Sequence, residues 1–328
     1  MIAVTGGNGL LGSYVIRKLI TEGKPFIALK RKGSDTSLLQ DIQDKVNWKD
    51  ADVQDPVALE EALQHVTHVV HAAAIVSFNP RRASEVMDIN VMGTRNVVNA
   101  CLNNNVRRIV HISSVAALGR QKGQRVIDES NKWSSGSLNS VYGESKYLAE
   151  LEIIRGQEEG LSTVLINPSV ILAPADWNRS SAQLFKYIWN EKSFYIDAML
   201  NYIDVRDVAE VVYRMLDAPY EGERFIVSAG NIPFIAFFKK IAGIMNKKAP
   251  TISPPRSLLN VVARLETFRT WFTGTEPLVT RETVKLAGTE FLYDNQKVRK
   301  ELDFEFQPID ETLHWCCQYY IDKMNGKN

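Results

Sequence analysis

Short apolar runs at positions 2–5, 26–29, 68–74, 108–113 and 162–167 alternate with longer segments at 10–21, 56–64, 81–103 and 140–156. The runs are too short for buried helices and read as strands. The longer segments repeat their apolar residues every three or four positions and read as helices. Strands that alternate with helices in this way predict βαβ units, hence a parallel sheet covered on both faces. Beyond Pro168 the pattern loosens: Pro174, Trp177 and Pro219 interrupt it, and Pro250, Pro254 and Pro255 cluster. Positions 203–205 and 224–227 still read as strands, with a helix over 208–216 between them. The expected fold is α/β, with a doubly wound parallel sheet built from residues 1–168 and joined again by 200–228. Residues 169–199 and 229–328 are then a smaller, interleaved C-terminal lobe that binds substrate. The amphipathic stretch 258–272 reads as a packed helix of that lobe rather than a surface for membrane or greasy substrate.

Composition narrows the partners. The 328 residues carry a net charge of only +1, without the basic excess that marks nucleic-acid binders. Cys101, Cys316 and Cys317 offer no plausible disulfide framework, which fits a reducing, cytoplasmic setting. No apolar run reaches the ~18 residues of a membrane span, and no cleaved signal is expected.

The chemistry begins between the first strand and the first helix, at Thr5-Gly6-Gly7-Asn8-Gly9-Leu10-Leu11-Gly12. Gly6 permits a tight turn, Gly9 lets backbone approach a pyrophosphate, and Gly12 lets helix and strand pack closely. The helix amides then face the phosphates, so this loop reads as a dinucleotide site. The second strand runs into Lys30-Arg31-Lys32, with no carboxylate before Asp35. A carboxylate there would favour NAD(H); Arg31, with Lys30, instead suits a 2′-phosphate, so NADP(H) is preferred over NAD(H). Charge runs are also common on solvated loops, and that bland reading stays open.

Tyr142 and Lys146 lie four residues apart, one helix face for both. A lysine ammonium and a nicotinamidium nearby would lower the tyrosine pKa and fit it for proton transfer. Tyr14/Lys18, Tyr293/Lys297 and Tyr319/Lys323 share the spacing, but only Tyr142 follows a strand ending in Ser113-Ser114 and opens the next helix. His65, His68 and His71 recur every third residue. Residues an odd number apart on a strand face opposite ways, so these histidines read as structural and no metal is expected.

Together the glycine loop and the Tyr-x-x-x-Lys pair resemble the extended short-chain dehydrogenase/reductases, the NAD-dependent epimerase/dehydratase superfamily. The resemblance covers essentially the whole chain and is dense from residue 1 to about 215. It implies a Rossmann sheet. It also implies that Asp52-Val53 contact the adenine, that Ala72, Ala73 and Ala74 underlie the cofactor, and that Asn90 supports the site. Ser114, followed by Gly119, is implied as the hydroxyl that binds the substrate oxygen, with Ser113 the alternative. Pro168, Ser169 and Val170 would line the nicotinamide pocket, and Lys146 would hold the nicotinamide ribose.

Dehydratases of the family carry an acidic pair where this chain has Val115-Ala116-Ala117. Nucleotide-sugar enzymes carry an arginine where Leu200 and Asn201 stand. What remains is similar to the dihydroflavonol-4-reductase-like and 3β-hydroxysteroid-dehydrogenase-like branch. Substrate choice falls to loops near 118–139 and 176–195, with Trp177, Tyr195 and Tyr202 as candidate substrate contacts. The reading is a reductase of a ketone or aldehyde, or the reverse alcohol oxidation, on an uncharged small to medium substrate. An epimerase that retains its cofactor and a dinucleotide-binding sensor are the alternatives. A homodimer is implied by the resemblance alone.

Overall fold

Seven parallel strands gather the apolar runs into one sheet. They are β1 (Ile2–Thr5), β2 (Phe26–Lys30), β3 (Trp48–Asp50), β4 (His68–His71), β5 (Arg108–Ile112), β7 (Ser162–Pro168) and β10 (Glu223–Val227). Their order across the sheet is β10-β7-β5-β4-β1-β2-β3. The computed structural model describes residues 1–120, 123–134, 140–177, 181–255, 257–259, 265–266, 269 and 291–326. The stretch at 258–272 therefore lies largely outside the described residues.

The period of two distributes the strand residues between two cores. Ile2 and Val4 of β1, Val110 and Ile112 of β5, and Val164 and Ile166 of β7 share one cluster. Helices α1 (Leu10–Thr21) and α7 (Val205–Met215) cover that face. The intervening Ala3, Ile109 and Leu165 turn to the other face. There they meet α2 (Pro56–Ala62), α4 (Gly93–Asn103) and α5 (Val141–Glu158).

A second, three-stranded sheet holds β8 (Val170–Leu172), β9 (Met199–Asp204) and β11 (Gly230–Pro233) in the order β11-β9-β8. Beside it α6 (Ala182–Trp189), α8 (Phe234–Met245) and α10 (Ile309–Met324) bury Phe185, Phe237, Leu313 and Tyr320. A short parallel pair, β6 (Val126–Ile127) with β12 (Leu292–Tyr293), ties the 118–139 region to the C-terminal part. Helix α9 (Gln296–Leu302) follows β12.

Three expectations change. The strand expected at 203–205 is longer and joins the small sheet; only α7 and β10 return to the large one. The run 68–74 pairs as a strand only to His71, because residues 72–74 leave the ladder. The single helix expected at 81–103 is α3 (Ala83–Met87), a π-helical turn at Asp88–Met92, and α4. The π turn accommodates an extra residue without ending the helix.

Candidate active site

The order in which strands are added reverses between β1 and β4: β2 and β3 extend the sheet one way, β5, β7 and β10 the other. Ligands of open α/β sheets bind at such a switch point, outside the carboxyl ends of the strands. The glycine loop stands there. Gly6 has φ +65°, and a side chain on it would come 2.7 Å from the Ala73 Cα. A Cβ on Gly12 would overlap the Gly6 carbonyl oxygen. Gly9, the N-cap of α1, has no side chain with which to cap the helix. The amides that open α1 are therefore left facing a cradle that any side chain would fill, which fits a pyrophosphate. Asn8 steadies the loop by donating to the Asp35 carbonyl at 3.0 Å, and Leu11 is buried beneath it, with Leu10 packed partly against the core.

A cleft of about 510 Å³ opens beyond β2 and β3, with Arg31, Lys32 and Ser34 on one side and Asp52, Asp55 and Ala58 on the other. Arg31 is exposed and forms no ion pair among the described residues. Lys30 does not reach this cleft. It sits opposite Asp50 in the β2–β3 register and is ion-paired to it at 2.6 Å. Asp52 accepts the Gln54 amide at 3.0 Å, and Val53 is buried under α4. The edge strand β3, three residues long and largely polar, runs just before Asp52.

Tyr142 and Lys146 lie one turn apart at the start of α5, which Ser140 caps by accepting the Gly143 amide at 3.0 Å. Gly143 allows the helix to touch the turn after β5, since a Cβ there would lie 2.7 Å from the Ala116 carbonyl oxygen. That approach brings the Tyr142 phenol close enough to Ser114 for the serine hydroxyl to favour its ionised form. Ser114 also accepts the Ala116 amide at 3.1 Å, which leaves its own proton free to be donated. Ser113, the alternative, is buried and its hydroxyl has no partner among the described residues.

The electrostatics differ from expectation. Burial pushes the Tyr142 phenol above its ordinary range, and the Ser114 hydroxyl offsets part of that. Lys146 is not among the groups acting on Tyr142. Its ammonium is buried and donates to the Ile112 carbonyl at 2.6 Å. Burial lowers Lys146 to about 8, with the Glu150 carboxylate working in the opposite direction.

Behind the loop runs an ordered chain of hydrogen bonds. The Thr94 hydroxyl donates to the Asn90 carbonyl at 2.6 Å, so it can only accept from His71 Nε2, at 3.0 Å. His71 Nδ1 must then accept from the Thr5 hydroxyl at 2.7 Å, and Thr5 in turn accepts the Ala73 amide. His71 is thus a neutral Nε2–H tautomer, and burial lowers its pKa to about 3.

Asn90 is fully engaged inside the protein. It binds both the N–H and the C=O of Ile75 and donates to Ser145 Oγ at 2.9 Å. Ser145 donates to the Tyr142 carbonyl at 2.8 Å. Asn90 therefore braces α5 against Ile75 through Ser145. A supporting role for Asn90 was expected, but its particular partners were not legible, because the π turn that aims it leaves helical periodicity intact. Sequence reasoning missed Gly143, Ser145, Glu150, Asn167 and Arg224. The spacing of Glu150, eight residues after Tyr142, was the signal available.

Further out, Pro168 ends β7, and the Ser169 amide bonds the Val227 carbonyl at 3.0 Å, leaving Val170 exposed. Phe78 meets the Tyr142 ring edge-on at 5.8 Å. Of the proposed substrate contacts, Trp177 is stacked on Tyr320 at 4.2 Å, a packing position in the α10 core. Tyr195 packs against the same cluster, with its amide on Ile252, and Tyr202 is half-buried beside Gly230. The decoy pairs are spent elsewhere. Lys18 is paired with Glu22 and Glu210, Lys297 with Glu223, and Lys323 lies over the Tyr319 ring. Among the described residues no three His, Cys, Asp or Glu side chains group as metal ligands, and no helix is long and apolar enough to cross a membrane.

A Rossmann sheet with a glycine cradle at its switch point and a Ser-Tyr-Lys group at the neighbouring strand end defines a dinucleotide-dependent enzyme of the short-chain type. The chain belongs to the NAD-dependent epimerase/dehydratase family, whose model matches residues 2–230. A Synechocystis sp. protein provisionally named dihydroflavonol 4-reductase is 30% identical over 323 residues, covering 95% of this chain and 93% of that protein. Cinnamoyl-CoA reductase 1 of Petunia hybrida is 25% identical over 330 residues, covering 96% and 90%. The crystal structure of gox2253 superimposes with a TM-score of 0.84 at 30% identity, over 100% of this chain and 99% of that one. The relatives' names are those of reductases and dehydrogenases, and this chain is an NAD(P)-dependent oxidoreductase.

Proposed function

We propose that the protein reduces a ketone or aldehyde with NADPH, or runs the reverse alcohol oxidation, on an uncharged small to medium substrate. The placement of Tyr142 beside Ser114, where Gly143 lets α5 touch the turn after β5, carries this reading. It sets two hydroxyls side by side where a carbonyl oxygen would gain charge. Burial keeps the Tyr142 phenol protonated, the form that reduction needs from a proton donor. Ser114 holds the same oxygen, and Lys146 fixes the helix to β5 while placing a cation behind the tyrosine. The dinucleotide supplies the hydride when bound. Exposed Phe78, edge-on to Tyr142, gives this place an apolar side, which suits an uncharged substrate. Residues 169–199 and 229–328 would form the substrate side of this place.

The preference for NADP(H) rests on Arg31 at the rim of the outer cleft. Exposed Leu151 and Ile154 on α5, with Met92 at the start of α4, favour a homodimer through that face, which sedimentation would test. The three buried free cysteines suit a cytoplasmic setting. The function is tested by Tyr142→Phe, which should cut turnover at least ~100-fold while NADPH still binds. Near-normal turnover in that variant would end the reading. Tightly retained NAD with no net cofactor consumption would favour an epimerase instead.

A further inference from the structure

Eight residues beyond Tyr142, and on the same helix face, stands Glu150, fully buried. One carboxylate oxygen accepts from Asn167 Nδ2 at 2.7 Å. The other is ion-paired with the Arg224 guanidinium. The same Asn167 nitrogen donates to the Ser114 carbonyl at 2.9 Å. Three elements far apart in the chain, α5, β7 and β10, thus meet at one carboxylate directly behind the catalytic group. Burying an ion pair is expensive, and replacement by apolar side chains is often neutral or stabilising. Stability is therefore a poor reason for charge at this place.

We propose that Glu150 is a positioning residue of the reaction, holding the Ser114 peptide through Asn167 and supplying the countercharge to Lys146. This rests on the reductase reading of the site. Among the described residues the groups facing Lys146 are Glu150 on its own helix, the neutral His71 on β4 and His111 on β5, and the Ile112 carbonyl. Glu150 is the only anion among them. Facing Glu150 are Lys146, Asn167 and Arg224, the last with its backbone carbonyl held by Lys297 of α9 at 2.8 Å. Asn167 Oδ1 and Arg224 Nε have no partner among the described residues, so the network is not closed for packing alone.

The test uses the full chain with NADPH bound. Glu150→Gln keeps an oxygen for Asn167 and removes the charge. Lys146 would be followed by NMR of isotopically labelled lysine Nζ, which needs no turnover. In the parent its titration midpoint should lie below the ordinary lysine range, since burial lowers it. In Glu150→Gln the midpoint should fall, because burial is then unopposed, and the alkaline limb of kcat/KM should move to lower pH with it. Should the lone Arg224 charge unfold that variant, Glu150→Gln with Arg224→Met removes both charges. The double variant should recover thermal stability and still show the lowered midpoint. A lower Tm with an unmoved Lys146 midpoint and pH profile would make Glu150 merely structural and overturn the proposal. Full activity in Tyr142→Phe would defeat the reductase reading instead, and the lysine titration would be untouched by that result.

Discussion

At the scale of single residues, the site is decided by contacts of a few tenths of an ångström. Gly12 has no room for a methyl group, since a Cβ would overlap the Gly6 carbonyl oxygen. Gly12→Ala should therefore shift the loop at a cost of about 1–3 kcal/mol, the usual range for overpacking. Calorimetric Kd values for NADPH and NADH should both rise about 10-fold or more, since ~1.4 kcal/mol is a factor of ten. Equal affinities in variant and parent would show that the cradle does not hold phosphate. Arg31→Ala should behave differently. A hydrogen bond to a charged group contributes about 1.5–3 kcal/mol, so NADPH should weaken about 10-fold or more and NADH hardly at all. Equal loss for both dinucleotides would remove Arg31 from 2′-phosphate recognition. Glycine spacing and the Tyr142/Lys146 pair were legible because each is a local pattern. Lys30 was not separable from Arg31 by sequence, because its pairing with Asp50 depends on the register between β2 and β3.

Among the elements, the break within the expected 81–103 helix has the largest consequence. A π turn at Asp88–Met92 buries Asn90 against Ile75 and Ser145, and Ser145 holds the first turn of α5. Asn90→Ala leaves these groups short of partners, at about 1–3 kcal/mol for each buried group. The variant should lose several degrees in Tm and most of its turnover, while NADPH affinity falls by less. Unchanged turnover would show that α5 needs no such brace. Helical periodicity continued across this break in the sequence. One extra residue in a turn leaves apolar spacing nearly intact, so the pattern carries no mark of it. The strand at 199–204 is similar: its apolar residues announce a strand, but not which sheet receives it.

In the whole molecule, buried titratable groups pull stability in opposite directions with pH. His71 is held neutral, near 3 against an ordinary 6.5, so its contribution is present above 6.5 and is lost as pH falls toward 3. Asp207 on α7 is buried where it accepts the Gln307 amide at 2.9 Å, and burial raises its carboxyl to about 7. Its raised value means the reverse: the contribution is present below about 4 and is lost as pH rises through 7. Asp207→Asn keeps the acceptor and removes the titration. Its Tm relative to the parent should therefore improve steadily from pH 4 to pH 8. A constant difference across that range would show that Asp207 is not protonated in the folded protein near neutrality.

The chain's own local patterns were enough to determine a parallel α/β sheet, a tight glycine loop after its first strand and a tyrosine–lysine pair on one helix. All are written within a turn or two of sequence, where periodicity and glycine spacing act directly on the backbone. The tertiary structure alone decided which cation reaches the outer cleft and which way Asn90 points. It alone committed Trp177 to packing and set Glu150, Asn167 and Arg224 around the Ser114 peptide. These are contacts between residues 15 to 143 positions apart. Strand order and the packing of α5 on the sheet bring them together, and no local pattern encodes the meeting.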